Sequence, residues 1–567
     1  MQAGFSRLPV TTLAGRLRDS WSQRLFPAGP EEQPPGGWFW AGLAFLAVLA
    51  GALLLTGLSY PLYEPDEGRY AEIGREMLAS GNWVVLMLNN TPHHDKPPMF
   101  GWLVAGSFGL FGVQEWAARL VPAGAALLTV LLLYVVGARS VGTRAAFLAA
   151  LALTLTVGFV VAARILTIDS VLTLFVTASL MTALEAVRGQ RLRWGWWLAS
   201  AACCGLGLLT KGPVALVLLG PPVAAHAWLQ RLPGRPAWRH WAAYLGLAGA
   251  VALPWYVTAA VTAPDFAREF IVKHHLQRFF SGTEHPGPFW YYAPVLVVGG
   301  LPWSLLAWPL ARFLWSRSPE VRALRSRPMG FFLLWAGWCV LFFSLSRGKL
   351  PLYVLPAAPA LALLTGCYLR HALARAGAVG AALLARPAAP QLFLLGVATV
   401  WLVGGLYAVR RQYVGPVSLV PEAAAFLGCV VGLALGGRRL SVRAGWLLGG
   451  LLLTAMLWDL SHDLVPGCAA QRSPFARLAH VSDRLRQGGT AVACHGQDWG
   501  SVTFHTRGDI YNLDRYSHGE LSRFLRGHRR TLVLAGGWEL DKVQRAVPEG
   551  MTLTRVGDLS SGTAVLV

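Results

Sequence analysis

Charge is scarce in this sequence, and acidic charge scarcest of all. Only 14% of the 567 residues are Asp, Glu, Lys or Arg, against roughly 25% in ordinary soluble domains. A chain this poor in charge and 54% hydrophobic has too little polar surface for the soluble classes, which leaves a multi-span membrane protein. The seven cysteines show no metal-ligand spacing. Five of them (Cys203, Cys204, Cys339, Cys367 and Cys429) lie in apolar segments, where a thiol behaves as a small hydrophobe; Cys468 and Cys494 are the pair left for a disulfide. No internal repeat is evident, which weighs against a transporter or flippase built from repeated halves.

What charge there is falls into a pattern. The net charge of +21 comes from Arg clusters in short loops between apolar runs, the positive-inside arrangement, so the expected partner is anionic membrane lipid and not nucleic acid. Residues 1–37 read as a cytoplasmic arm, with Leu13, Leu17, Trp21 and Leu25 suited to lie on the inner leaflet. Trp38 to Tyr60 then runs outward. Met99 to Gly112 falls short of the roughly 20 residues a span needs, and parity makes it interfacial or re-entrant. Ala117 to Gly137 runs inward to the basic Arg139–Arg144 loop, and Ala145 to Ala162, Val171 to Ala186, Trp196 to Leu209, Val214 to Leu229 and Ala242 to Ala260 alternate after it. Trp290 to Trp308 is read as one inward span, and the series continues through Gly330 to Leu345, Leu352 to Leu369, Leu392 to Tyr407, Ala423 to Leu435 and Trp446 to Trp458. The expected fold is an α-helical membrane domain over 38–460 with about thirteen crossings.

This topology collects Asp66, Glu67, Asp95, Lys96, Arg164, Asp169, Lys211, His274, His275, Arg278, Arg347, Lys349 and Tyr353 on one face of the membrane. At the centre of that set is the loop over 61–98. Pro65 disfavours helix before it, Asp66 and Glu67 suit the positive end of a helix dipole, and Ile73, Met77 and Leu78 share one face of the helix that follows. Ionisable groups where a span leaves the hydrocarbon are costly, which points to function. Residues 461–567 have the composition of a small α/β periplasmic domain. Strands are expected over Thr490–Cys494, Val502–His505, Thr531–Leu534, Met551–Val556 and Ala564–Val567, and helices over Pro474–Arg486, Gly519–Gly527 and Glu539–Ala546.

The run from Glu64 to Pro98, with DEGRYAEIGREMLASGNWV leading to Asp95-Lys96-Pro97-Pro98, resembles the first outer loop of the ArnT-like polyprenyl-phosphate-sugar glycosyltransferases. That family is related to the protein O-mannosyltransferases and shares their GT-C type fold. The likeness continues in order through Arg119-Leu120, Arg164 with Asp169, Leu209-Thr210-Lys211-Gly212-Pro213, Pro254-Trp255-Tyr256, His275-Leu276-Gln277-Arg278-Phe279, Trp290-Tyr291-Tyr292, Pro302-Trp303 and Lys349-Leu350-Pro351-Leu352-Tyr353. It covers about residues 38–370.

The resemblance implies transfer of a sugar from an undecaprenyl phosphate donor to a lipid A-like or other envelope acceptor, on the periplasmic face of a bacterial inner membrane. A protein hydroxyl acceptor is the alternative within the same fold. Asp66 matches the family's catalytic acid, with Glu67 beside it and Asp169 as the second acid. Lys96, Arg278, Tyr353, Lys211 and Lys349 would hold the donor phosphate, and Arg69, Tyr70 and Arg164 would contact substrate. The family's metal position falls on Asp95 and His275. Asp here replaces a more usual Glu, His274 stands where an acid is common, and two ligands fall below the three or four of a zinc site. Zinc is thus the one cofactor raised, and a monomer is the expected assembly.

Overall fold

The computed structural model describes residues 38–270, 277, 285–323, 325–326, 328–375, 388–436, 442–473, 490–495, 499–506, 511–513, 518–536, 539–559 and 562–566. His274, His275, Arg278 and the helix expected over 474–486 lie outside them. The described chain is mainly helical. It opens with α1 (Trp38–Leu55), α2 (Asp66–Ser80), the hairpin strands β1 (Met87–Leu88) and β2 (Thr91–Pro92), α3 (Met99–Phe111) and α4 (Glu115–Val141). It continues through α5 (Thr143–Thr154), α6 (Val157–Arg164), α7 (Asp169–Val187), α8 (Trp194–Lys211), α9 (Val214–Leu229) and α10 (Trp238–Thr262). Then come α11 (Tyr292–Gly299), α12 (Ala307–Trp315), α13 (Met329–Leu345), α14 (Ala358–Arg375), α15 (Ala388–Arg410), α16 (Leu419–Gly436) and α17 (Val442–Asp459).

Among the described residues, six helices are long and apolar enough to cross a membrane, or up to eight if each of two bent pairs is one span. These pairs correct two uniform runs expected from the sequence. α5 and α6 meet at 61°, and Phe289–Gly299 meets Trp303–Trp315 at 106°. Apolarity alone hides such breaks. Gly299 and Gly300 favour helix weakly and Pro302 offers no backbone N–H, so the second run cannot continue straight. The two breaks support each other: Val157 N–H donates to Leu301 O at 3.0 Å, and the Trp303 indole donates to Ala152 O at 2.7 Å. Gly158 is required here, because a Cβ on it would lie 2.8 Å from Gly299 O.

After α17 the chain passes through α18 (Val465–Arg472) into a five-stranded sheet of order β4-β3-β5-β7-β6. β3 (Ala491–His495) pairs in parallel with β4 (Tyr511–Leu513) and β5 (Thr531–Gly536); β7 (Gly562–Leu566) pairs antiparallel with β5 and with β6 (Thr554–Leu559). The helices α19 (Gly500–Thr506), α20 (His518–Arg526) and α21 (Leu540–Ala546) alternate with the strands. The strand expected over Val502–His505 is therefore the helix α19. Val502 and Phe504 are both buried there, so tertiary burial outweighs the β-preference of a short alternating run. Cys468 and Cys494, the pair the sequence left open for a disulfide, are not joined by one.

Candidate functional site

The site is built on the chain that leaves α1, and two buried arginines hold that chain in place. Arg164, at the end of α6, donates to the carbonyls of Leu53 (3.1 Å), Thr56 (2.8 Å) and Gly57 (2.7 Å). Arg119, in α4, donates to the carbonyls of Leu58 (2.9 Å), Pro61 (3.0 Å) and Tyr60, with its guanidinium 3.6 Å over the Tyr60 ring. These carbonyls have no helix to satisfy them, and an unpaired one in apolar surroundings would cost several kcal/mol.

Glu67 completes the frame. Both its oxygens receive Arg119, Nε at 3.0 Å and Nη2 at 2.6 Å, and it also accepts the Leu166 N–H at 2.8 Å and the Tyr63 N–H at 3.2 Å. Its side chain is fully buried. Asp66, one residue earlier, points the other way: its carboxylate is 44% exposed, with Arg69 Nη1 at 3.6 Å. Adjacent acids on the first turn of α2 therefore have opposite surroundings.

Around Asp66 the remaining charges converge from distant segments. Asp169, the first residue of α7, accepts Lys211 Nζ from the end of α8 at 2.5 Å, and that ammonium lies 4.2 Å over the Tyr353 ring. Asp95 stands 3.7 Å from Lys96 Nζ and 3.8 Å from His93 Nε2. The β1–β2 hairpin that carries the chain towards Asp95 turns at Asn89 and Asn90, both with positive φ (54° and 61°), as its tight turn requires. Glu76 anchors it to α2 by accepting the Asn90 N–H at 3.1 Å.

Tyr70 is the common neighbour of these groups. Its phenol is buried, which pushes its pKa well above the ordinary value, and the charges of Asp66, Arg69, Asp169 and Asp95 all act on it. The fold thus gathers Asp66, Arg69, Tyr70, Asp95, Lys96, Asp169, Lys211 and Tyr353 at one end of the helices. Arg164 is turned to the backbone. Lys349, also buried, donates to the carbonyls of Ser344 (3.0 Å), Phe343 (3.5 Å) and Ser346 at the end of α13. Among the described residues no group of three or more His, Cys, Asp or Glu stands close enough to hold a metal ion. Asp95 faces an ammonium and an imidazole, and its expected co-ligand His275 lies outside the described residues.

Two contacts had no assigned role in the sequence. Glu64 Oε1 accepts the Ser501 N–H at 2.6 Å, which joins the acid loop to α19. Gly68 and Gly500 cross there so closely that a Cβ on Gly500 would lie 2.5 Å from the Gly68 carbonyl carbon.

With this geometry in place, three kinds of likeness converge. Residues 95–265 match the family described as dolichyl-phosphate-mannose-protein mannosyltransferase. An undecaprenyl phosphate-alpha-4-amino-4-deoxy-L-arabinose arabinosyl transferase of Pseudomonas fluorescens is 34% identical over 434 residues, 74% of this chain and 75% of the relative. The chain belongs to the ArnT-like family of polyprenyl-phosphate-sugar glycosyltransferases. An ArnT-like relative with the same description, from Sodalis glossinidius, is 38% identical over 59% of this chain and 60% of its own length. Across the first such relatives the chain spans only 54–60% of their length. The ArnT-like fold is seen directly in the crystal structure of ArnT from Cupriavidus metallidurans bound to undecaprenyl phosphate. That structure aligns with a TM-score of 0.73 at 23% identity, over 94% of this chain and 98% of that one.

Proposed function

We propose that this protein transfers a sugar from an undecaprenyl phosphate donor to a lipid A-like or other envelope acceptor, at the periplasmic face of a bacterial inner membrane. The observation that carries the reading is the convergence on Tyr70 of three carboxylates from separate segments, with Lys211 and Lys96 beside two of them. Family membership and the activity named for the relatives support it. So do the shorter apolar helices Met99–Phe111, Val214–Leu229, Met329–Leu345 and Pro416–Gly432. Were all but the first of these to cross, they would bring the series toward the thirteen spans expected from the sequence, the count on which an outward-facing site rests.

Transfer breaks the bond between the anomeric carbon and the donor phosphate and forms one to an acceptor oxygen. The departing phosphate needs cations, and the acceptor needs a carboxylate to orient it or take its proton. Asp66 is the exposed acid and takes the second role. Lys211 and Lys96 flank the phosphate, with Tyr353 beneath Lys211 and Arg278 assigned to the same wall. Asp169 holds Lys211 in line and contacts the sugar; Arg69 and Tyr70 shape the floor. Glu67, Arg164 and Lys349, each engaged with its own partners, are assigned to the frame. A donor kept at the membrane boundary leaves its prenyl chain in hydrocarbon while the head group reacts.

The test is Asp66→Asn, purified in detergent and supplied with undecaprenyl-phosphate-linked sugar. It should bind the lipid and fail to transfer the sugar; turnover within tenfold of the parent would remove Asp66 from the mechanism. Mass spectrometry of envelope lipids and proteins, with and without the gene, identifies the acceptor and separates a lipid from a protein hydroxyl.

A further inference from the structure

A second polar cluster lies away from Asp66, in a chain otherwise dominated by positive charge. α15, α16 and α17 enclose a cavity of about 180 Å³ against Val157 of α6 and the bend after α11. Its walls are aliphatic, with Leu301, Val400, Met456 and Leu460 among them, yet three carboxylates enter it: Glu422, Asp459 and Asp463. No Lys, Arg or His lines it among the described residues. Asp459 accepts the Trp401 indole N–H at 2.9 Å, Asp459 and Asp463 are hydrogen-bonded side chain to side chain, and both act electrostatically on Glu422.

Glu422 is the telling member. It is only 1% exposed, and its Oε2 has no hydrogen-bond partner. A buried carboxylate oxygen without a donor is expensive, and three neighbouring acids cannot all ionise without a cation among them. Asp459 and Asp463 share a proton in their side-chain hydrogen bond, which leaves Glu422 Oε2 as the acceptor that a cationic donor would meet. Metal coordination does not supply it, since among the described residues these acids do not form a metal-binding group.

Position and shape narrow the occupant. The turn that carries Asp463 also carries His462, whose Nε2 lies 2.9 Å from Thr56 Oγ1 at the end of α1. The acid end of the cavity thus lies near the end of α1 from which the Asp66 loop departs, where the sequence places the boundary between hydrocarbon and water. Apolar walls there suit an alkyl or prenyl chain, and an ammonium supplies three donors, enough for Glu422 Oε2 and the remaining acceptor oxygens of the Asp459–Asp463 pair. We propose that this cavity binds the primary ammonium of a lipid, with Glu422, Asp459 and Asp463 as its acceptors. A bulk aminophospholipid and a prenyl-phosphate-linked amino sugar share that chemistry. The inference stands on the cavity and does not require Asp66 to be the catalytic acid.

Retention of lipids by the delipidated full chain in detergent, read by native mass spectrometry, tests it. Phosphatidylethanolamine should bind at least tenfold more tightly than its N-acetyl derivative or phosphatidylglycerol. Glu422→Gln, nearly isosteric, should abolish that preference while the protein still elutes as a single species. Equal retention of phosphatidylethanolamine and its N-acetyl form, or a preference that survives in Glu422→Gln, overturns the proposal. Decylammonium against decanol as competitors gives the same answer without a variant: only the amine should displace phosphatidylethanolamine, and equal displacement counts against the ammonium. Competition by a prenyl-phosphate-linked amino sugar assigns the site to that lipid and its absence to the phospholipid; either way the preference must vanish in Glu422→Gln.

Discussion

Glu64 and Ser501 lie 437 residues apart in the chain, and the carboxylate of the first accepts the backbone N–H of the second at 2.6 Å. Beside that bond Gly68 and Gly500 cross, and Phe504 packs into the same apolar cluster as Tyr70 and Phe108. The helix α19 therefore rests directly on the turn that presents Asp66. A unit built on a separate sheet becomes part of the support of the membrane site.

Gly500→Ala tests that support. The added methyl would lie 2.6 Å from the Gly68 carbonyl oxygen and 2.7 Å from Arg69 N, both backbone atoms with little room to yield. Overpacking of this kind costs about 1–3 kcal/mol, and a shift of about 1 Å at a catalytic group costs on the order of 100-fold in rate. The expected outcome is a folded protein with a lower thermal-inactivation midpoint and turnover reduced at least tenfold at saturating donor. Unchanged turnover would mean that α19 does not position Asp66.

The same joint carries a pH dependence. Burial pushes the Glu64 carboxyl up to about 7, against hydrogen bonds from Ser501 and the charge of Arg69 that favour ionisation, with Asp66 adding repulsion. Between the ordinary carboxylate range and about 7 the folded chain holds a proton that the unfolded chain has lost, so stability falls as pH rises through that window. Burial also raises the Glu72 carboxyl to about 7, so two groups share the effect. Glu64→Gln should reduce the slope of the midpoint between about pH 5 and pH 7 without abolishing it. An unaltered slope would show that Glu64 does not hold that proton.

How much of this was legible in the sequence depended on how local the cause was. The helix after Pro65, the short Met99–Phe111 segment and most strands of the final sheet follow from residues close together in the chain. The clustering of Asp66, Asp95, Asp169 and Lys211 was legible one step less directly, through loop parity. Roles were harder to read. Arg119 and Arg164 gain their function from unpaired carbonyls between Leu53 and Pro61, and no spacing rule reveals which carbonyls a loop leaves bare. Likewise nothing in Asp66-Glu67 distinguishes an exposed acid from one closed off by an arginine 52 positions later. The strand expected at Val502–His505 failed for the same reason, since docking against α2 decided it.

Glu67 and Arg119 should therefore behave as a structural pair. Removing one partner strands a buried charge and costs about 3–5 kcal/mol, whereas replacing both with apolar groups of similar volume often costs far less. Arg119→Met alone should sharply reduce the folded yield, and Glu67→Leu with Arg119→Met should recover part of it. Glu67→Gln should lose stability but keep turnover per folded molecule within about tenfold, unlike Asp66→Asn. Loss of turnover in Glu67→Gln at full folded yield would return Glu67 to the reacting centre.

Lys211 is shared between Asp169 at 2.5 Å and the Tyr353 ring at 4.2 Å, and the proposed function sets this ammonium against the donor phosphate. A hydrogen bond to a charged group contributes about 1.5–3 kcal/mol, which corresponds to roughly 10- to 150-fold in affinity. On the proposed function the lost contact is made to the phosphate before and during transfer, so Lys211→Met should raise the KM for donor by a factor in that range while kcat falls less. Asp169→Asn should act partly through Lys211, so the double variant should cost less than the sum of the singles. Donor titrations across the four proteins measure the coupling. Strict additivity would mean that the two side chains serve the donor separately, and an unchanged donor KM in Lys211→Met would take the ammonium out of the phosphate wall.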